Sequence, residues 1–208
     1  KSVLSTQLSV PGNCEPGEGC VIKRTSMALL PIAKLGNPML RQIAARVNPE
    51  DIATPSFQQF IDDMFHTMVE THGIGLAAPQ VSQSQQVIVM ECAGEEGFPK
   101  TVLINPEIVF YGPHQVESWE GCLSVDGLRG KVARPSMVRV HGLDRHGKPL
   151  DIEATGLYAV CIQHEMDHLI GKLFLDRMTD MSTLTQLDEF ERFWKEEHAA
   201  VILASCEC

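Results

Sequence analysis

Apolar residues recur at intervals of three and four along the segment that follows Ser56, which is the period of an amphipathic helix. The stripe consists of Phe57, Phe60, Ile61, Met64, Phe65, Met68 and Val69. Ser56 is a suitable N-cap and Gly73 lies just past the last apolar residue, so the pattern predicts a helix between them. Similar spacing predicts two further helices, over 156–170 and 183–200.

Between residues 86 and 154 the pattern changes to short β-rich runs separated by Gly, Pro and Asn. The predicted strands cover 86–90, 101–104, 108–111 and 137–141, and a hairpin turn is predicted at 144–148. These strands follow one another too closely for helical crossovers, which indicates antiparallel pairing. The sequence therefore predicts an α+β fold, with mainly antiparallel sheets around a central helix at 156–170 and further flanking helices.

The domain organisation follows from where these patterns begin and end. Residues 1–26 contain three glycines and two prolines without an apolar period, so we expect an irregular leader. We expect one catalytic domain over 27–180 and a C-terminal helix and tail over 181–208. Apolar residues at helical spacing near the end indicate that this last helix packs on the body or on a second copy.

Composition excludes several classes of protein. The net charge of −10 argues against a nucleic-acid groove, which needs clustered Lys and Arg. No apolar run approaches the roughly 18–20 residues of a membrane span, so we expect no membrane partner and a cytoplasmic location. Organellar targeting by the leader is a minor alternative, weakened by Glu15 and Glu18. Seven scattered cysteines are an odd number, which favours reduced thiols over a disulfide framework.

The predicted central helix carries the sequence HEMDH at residues 164–168. His164 and His168, four residues apart, project from one face of a helix and can share a metal ion. They continue an apolar stripe through Leu157, Val160 and Cys161, which indicates that both imidazoles point inward. Glu165, adjacent to a ligand, is the candidate general base of a hydrolytic site.

Two imidazoles leave a catalytic metal site short of a third protein ligand. Cys161 lies about 10 Å along the helix axis from His168, which is too far for a short side chain. Glu189 or Glu191 would recreate the two-His-one-Glu site of many zinc proteases. Cys122 is the third candidate, because Gly121 beside it lets the backbone come close to a site.

Three segments resemble, in order and approximate spacing, the signature motifs of peptide deformylase. They are GIGLAAPQ at 73–80, EGCLS at 120–124 and QHEMDH at 163–168. The resemblance covers about residues 30–178 and selects Cys122 as the third ligand. It implies hydrolysis of the N-formyl group from the formyl-methionine of new polypeptides, with formate as product. It also implies one divalent ion per chain, natively Fe²⁺, with Zn²⁺, Ni²⁺ or Co²⁺ as substitutes.

The resemblance also implies roles for residues around the metal. The side-chain amide of Gln80 and the backbone N–H of Leu123 would stabilise the oxyanion formed at the formyl carbon. The substrate would add as an extended strand paired with Ile74, Gly75 and Gly121. The formyl-methionine side chain would enter a pocket lined by Leu157, Val160 and Cys161, with Arg129 at its mouth.

Two neighbouring carboxylates suggest one further contact. Asp167 and Glu120 lie beside an inward-facing site, so we predict an ion pair of both with Arg134. Two rival functions are a zinc endopeptidase that uses Glu189 or Glu191 and a non-catalytic metal-binding or redox-sensing domain. The sequence leaves open whether the protein makes transient contact with ribosomes, for which Lys and Arg within 129–148 are the candidates.

Overall fold

The computed structural model describes residues 27–94 and 97–196, so the predictions for 1–26 and for the tail beyond 196 lie outside the described residues. Four α-helices and eight β-strands form within this part. The helices are α1 (Pro49–Ile52), α2 (Pro55–Glu70), α3 (Gly156–Leu169) and α4 (Leu187–Phe193). The strands are β1 (Gly75–Ala77), β2 (Val87–Cys92), β3 (Phe98–Tyr111), β4 (Gln115–Cys122), β5 (Val125–Pro135), β6 (Met137–Leu143), β7 (Pro149–Thr155) and β8 (Thr185–Gln186). Short 3-10 helices lie at Pro38–Arg41, Ala78–Val81, Phe174–Asp176 and Met181–Thr183.

The strands form two sheets, and every pairing between them is antiparallel. The first sheet has the order β1-β2-β3-β6-β7 and the second the order β4-β5-β8. Strands β1 and β4 therefore each lie at the edge of a sheet. Helix α3 contacts strands of both sheets, which places it at the centre of the fold. The prediction of an α+β fold around this helix is confirmed.

Strand β2 shows why the core has two layers. Val87 and Val89 pack with α2 on one face of the first sheet, whereas Ile88 and Met90 pack with α3 on the other. All four side chains are fully buried, and each contributes roughly 1.5–3 kcal/mol through burial of apolar surface. The continuous apolar run at 87–90 is thus the pattern of a strand covered on both faces.

Several predicted boundaries were wrong for identifiable reasons. Helix α2 starts earlier than predicted, with Thr54 as N-cap in place of Ser56, because Pro55 fits the first helical position. The two strands predicted over 101–111 are one strand, β3, whose register shifts around Asn105. Asn105 has a positive φ of 52°, and its side chain forms hydrogen bonds with the backbone of Val47. This polar residue therefore lies at a β-bulge within one strand and does not end the strand.

The last described strand and helix, β8 and α4, pack on the body of the molecule. Strand β8 pairs with β5 at Leu128 and Arg129, and Phe190 of α4 lies edge-on against Trp119 with ring centroids 5.2 Å apart. Helix α4 therefore packs on the body, which is one of the two arrangements that the sequence left open. No helix in the described ranges is long and apolar enough to span a membrane.

Candidate metal centre

Helix α3 presents the side chains of His164, Glu165 and His168 to the interior. It begins at Gly156, whose φ of 55° turns the chain out of β7, and it ends at Leu169 before Gly171 with a φ of 72°. The rings of His164 and His168 lie one turn apart with centroids 5.1 Å from each other. Both rings are buried, as the inward-facing stripe in the sequence predicts.

Cys122 reaches the same point from the second sheet. It is the last residue of β4, and the pairing of Cys122 with Val125 leaves a two-residue turn between them. Its Sγ lies 3.3 Å from Nε2 of His168, and the three candidate ligand atoms all lie within 4.8 Å of one another. The fold therefore brings together residues 42 to 46 positions apart in sequence.

These residues fit a divalent ion. A thiolate and an imidazole bound tetrahedrally to zinc, at about 2.3 and 2.0–2.1 Å, are separated by about 3.6 Å. The 3.3 Å between Cys122 and His168 is close to this separation. Nδ1 of His164 bonds Glu120, which directs its Nε2 toward the cluster. Among the described residues, the buried Nδ1 of His168 and Oε2 of Glu165 have no hydrogen-bond partner.

A buried ionic network supports His164. Oε2 of Glu120 lies 2.8 Å from Nδ1 of His164, and both Glu120 oxygens accept from the guanidinium of Arg134. Arg134 also donates through Nη1 to Asp167 at 2.9 Å. Burial alone would raise the pKa of Glu120, but the bonds from His164 and Arg134 hold it at about 2. The predicted ion pair of Arg134 with both carboxylates is confirmed.

Replacing Arg134 by Ala should remove the guanidinium that two buried carboxylates share. We expect the free energy of unfolding to fall by about 3–5 kcal/mol, the usual cost of removing one partner of a buried pair. Bound metal should also be lost faster to a chelator. Arg139→Ala is the matched control because Arg139 pairs with Asp151 at the surface, where a pair is worth about 0–1 kcal/mol. Equal urea stability and metal retention in the two variants would contradict the prediction.

Glu165 lies beside the cluster in an environment that favours its neutral form. The residue is 4% exposed, and burial, reinforced by the charge of Glu120, raises the pKa of its carboxyl to about 7. Its carboxylate rests against Gly75, where a Cβ atom would lie 2.4 Å from Oε1. The sequence predicted that Gly75 admits a substrate backbone; the structure adds that Gly75 makes room for Glu165.

Gln80 points its amide group at the ligand sulfur. Its Oε1 accepts from the N–H of Ala77 at 2.8 Å, which fixes the amide orientation. Its Nε2 then donates to Sγ of Cys122 at 3.4 Å and to Oγ of Ser124 at 3.2 Å. Leu123 is the first residue of the turn after β4, so its N–H lies outside the β4–β5 ladder.

A cavity of about 430 Å³ opens between the two sheets at the cluster. Its walls include both edge strands, with Gly75 of β1 on one side and Gly121 of β4 on the other. All seven predicted substrate-binding residues line it, namely Ile74, Gly75, Gly121, Arg129, Leu157, Val160 and Cys161. The guanidinium of Arg129 lies over Gly121, where a Cβ atom would be 1.7 Å from Nη1.

The amino-acid sequence matches a known protein family. The polypeptide deformylase family model matches residues 29–183, which include the three candidate ligands and Glu165. The chain belongs to the polypeptide deformylase family.

Relatives of known name agree with this membership. Peptide deformylase 2 of Xanthomonas axonopodis pv. citri (strain 306) is 47% identical over 155 residues, covering 74% of this chain and 90% of the relative. The peptide deformylase of Xylella fastidiosa (strain 9a5c) is 49% identical over 155 residues with the same coverage. The chain thus spans nearly the whole length of these two deformylases.

Solved structures of deformylases share the fold. The Met-Ala-Ser-bound class I type b peptide deformylase of Acinetobacter baumannii aligns with a TM-score of 0.70 at 37% identity, covering 73% of this chain and 99% of that chain. The actinonin complex of the Synechococcus elongatus peptide deformylase aligns with a TM-score of 0.68 at 41% identity, covering 82% and 88%.

The alternative ligands lie elsewhere. Glu189 and Glu191 are exposed on α4, and neither belongs to the group of residues that could hold a metal. Cys161 is buried in α3 with its Sγ 3.9 Å from the carbonyl oxygen of Ile74. These positions disfavour the endopeptidase alternative, which needs a glutamate as third ligand.

Sequence reasoning missed two partners of the ligands. Ser124 donates its N–H to Sγ of Cys122 at 3.4 Å, and its buried hydroxyl bonds Gln80. Glu120 was assigned to Arg134 alone, although it also bonds His164. Both residues stand inside the EGCLS motif, so their proximity to Cys122 was the available signal.

Proposed function

We propose that this chain removes the formyl group from N-formyl-methionyl ends of newly made polypeptides, releasing formate and a free amino terminus. The observation that carries this proposal is the Cys122, His164 and His168 cluster, with Glu165 beside it on the wall of a cavity between two edge strands. A hydrolase of peptide ends needs this combination of a metal site, a base and a place for an extended chain.

Cys122, His164 and His168 would hold one divalent ion. When bound, the ion supplies Lewis-acid stabilisation of the formyl oxygen and lowers the pKa of water toward neutrality. A thiolate with two imidazoles suits Fe²⁺ and Zn²⁺ alike. We propose Fe²⁺ as the native ion, with Zn²⁺, Ni²⁺ or Co²⁺ as substitutes.

Glu165 is the proposed general base. Its carboxylate takes a proton from the attacking water and later passes it to the departing amine. Burial raises the pKa of the Glu165 carboxyl, which makes its carboxylate a stronger base than that of an exposed glutamate. The contact with Gly75 holds the carboxylate in place during both transfers.

Gln80 and Leu123 are the proposed donors to the developing oxyanion. The Ala77 N–H fixes the Gln80 side chain, so its amide donor is already oriented before the substrate arrives. Preorganised donors of this kind typically contribute about 10²–10³-fold each to the rate. The N–H of Leu123 lies in the turn next to Cys122, where it can face the same oxygen.

The substrate backbone would extend the two sheets. Among the described strands, β1 and β4 each have one edge without a partner, and residues of both strands line the cavity. We propose that Ile74, Gly75 and Gly121 pair with the peptide main chain, which does not read downstream side chains. Leu157, Val160 and Cys161 would receive the methionine side chain, and Arg129 would flank the entrance.

A methyl group at Gly75 tests how closely Glu165 must be held. Gly75→Ala should lower kcat by about 10- to 100-fold, because displacing a reacting group by about 1 Å can cost that much. Metal content should remain at the wild-type level, since Gly75 touches no ligand. Formate-release kinetics and metal analysis of the purified variant check both expectations. A variant with full activity would show that the contact is unimportant for catalysis.

Release of formate from formyl-Met-Ala tests the proposed function. Reduced, metal-loaded protein should produce formate and free Met-Ala, and a chelator should stop the reaction. No formate above the chelator control would overturn the proposal.

Basic residues within 129–148 are the proposed site of a transient contact with ribosomes. Within 129–148, Arg134 is buried and Arg139 and Arg145 pair with Asp151 and Asp62. A transient ribosome contact through Arg139 or Arg145 would therefore have to compete with existing ion pairs, whereas Lys148 is exposed. We place the reaction in the cytoplasm, where nascent chains are made.

A further inference from the structure

The ionic network behind the metal cluster continues past Arg134 to the surface. Asp167 accepts from Nη1 of Arg134 at 2.9 Å and from Nε of Arg177 at 3.0 Å and 3.1 Å, and Nη2 of Arg177 bonds it as well. The side chain of Asp167 is 5% exposed, whereas that of Arg177 is 38% exposed. Arg177 is thus the partly exposed end of a network whose other end is His164.

Asp167 has two cationic partners in this network. Arg134 is buried and lies between Asp167 and Glu120, whereas Arg177 bonds Asp167 from a more exposed position. Without Arg177, Asp167 would keep Arg134 alone as its ion-pair partner, and a buried carboxylate that loses a partner is destabilised. The bond with Asp167 also raises the pKa of the Arg177 guanidinium.

A chain of hydrogen bonds connects Asp167 to His164, a proposed metal ligand. Asp167 lies on α3 between the two ligand histidines and fixes one side of the Arg134 guanidinium. The other side of that guanidinium holds Glu120, which in turn orients the ring of His164 through Nδ1. Hydrogen-bond partners of ligand histidines set ring orientation and basicity, and their loss typically weakens metal binding about 10- to 100-fold.

Other contacts anchor the segment that carries Arg177. The preceding 3-10 helix buries Phe174, and the carboxylate of Asp176 bonds both Arg41 and the N–H of Leu173. The backbone N–H of Arg177 donates to the carbonyl of Phe174 at 2.9 Å. Removing the guanidinium therefore leaves the local fold with its main supports.

We propose that Arg177 is a positioning residue for the metal site, acting through Asp167 and Arg134 to hold Glu120 and His164 in the geometry that retains the ion. This role rests on the proposed metal ligands. It does not depend on the identity of the substrate, because retention of the ion can be measured in the absence of peptide.

Transfer of Zn²⁺ from the loaded protein to a chelator tests this role. Arg177→Met should release the ion about tenfold faster than wild type, the lower end of the effect of a direct ligand partner. Arg177→Lys should give an intermediate rate, since it keeps the charge but loses the two-pronged geometry. Arg139→Met is the matched control, because Arg139 makes the same paired contact with Asp151 far from any ligand, and its rate should stay within about twofold of wild type.

An Asp167→Asn background shows whether the effect passes through Asp167. If Arg177 acts through the network, Arg177→Met should add no further acceleration once that carboxylate is gone. Equal acceleration in both backgrounds, or release from Arg177→Met at the wild-type rate, would overturn the proposal. Metal release is measured without substrate, so failure here would leave the proposed deformylation intact, and absence of formate would leave this result standing.

Discussion

Glu165→Gln should lower kcat for formate release by about 10²–10⁴-fold, the usual contribution of a general base. Glutamine matches the size of glutamate and keeps its packing against Gly75, but it cannot accept the proton of the attacking water. The three ligands are untouched, so the variant should still bind one divalent ion. Steady-state kinetics together with metal analysis of the same preparation measure both quantities.

Glu189→Gln is the matched control for this experiment. Glu189 is an exposed glutamate on α4 and would be the third ligand of a zinc endopeptidase. Wild-type activity and metal content are expected for this variant. If Glu189→Gln lost its metal while Glu165→Gln remained active, both assigned roles would be wrong.

Cys122→Ala should lose both the metal and the activity. The thiolate is one of the three proposed protein ligands, and the remaining pair of histidines on α3 would offer only two donors. We expect metal content after dialysis to fall from about one ion per chain to below about 0.1, with at least about 10³-fold less formate release, because catalytic sites of this type use three protein ligands.

Cys92→Ala provides the comparison for Cys122→Ala. Cys92 is a partly exposed free cysteine at the end of β2, and it stands outside the group of candidate ligands. Its replacement should leave metal content unchanged. Loss of metal from Cys92→Ala, or retention by Cys122→Ala, would point to a different ligand set and favour the redox-sensing alternative.

The helical part of the site was accessible from the sequence because its information is local. The four-residue spacing of His164 and His168 and the stripe through Leu157, Val160 and Cys161 depend only on the helical period. Helix α3 is buried on nearly all sides, so the stripe is one part of its buried surface. The hairpin turn at 144–148 was also local, and it is confirmed by the bond of the Asp144 N–H to the carbonyl of Lys148 and by the φ of 75° at Gly147.

Contacts between distant segments were not accessible in the same way. Residue patterns alone left Cys122, Cys161 and the glutamates of α4 as open alternatives, and the family resemblance was needed to choose among them. Strands β4 and β5 were not predicted as strands, because glycines and charged residues interrupt their apolar alternation. One of these interrupting residues is Gly121, which lies under the guanidinium of Arg129. Two others are Glu120 and Arg134, which bond each other in the buried ionic network.

Arg177 shows a further limit of sequence reasoning. It stands ten residues beyond Asp167 in a segment without a recognisable motif, and only the fold reveals the contact between them. The glycines illustrate the same point. Gly75 reads as a flexible position in the sequence, whereas the structure shows that the Glu165 carboxylate occupies the space of its missing side chain.

X-ray absorption spectroscopy of the zinc-loaded protein tests the assigned ligand set most directly. One sulfur at about 2.3 Å and two imidazole nitrogens at about 2.0–2.1 Å are expected, with the sulfur signal absent from Cys122→Ala. A shell of nitrogen and oxygen alone in the wild-type protein would contradict the assignment of Cys122, His164 and His168 as the metal ligands.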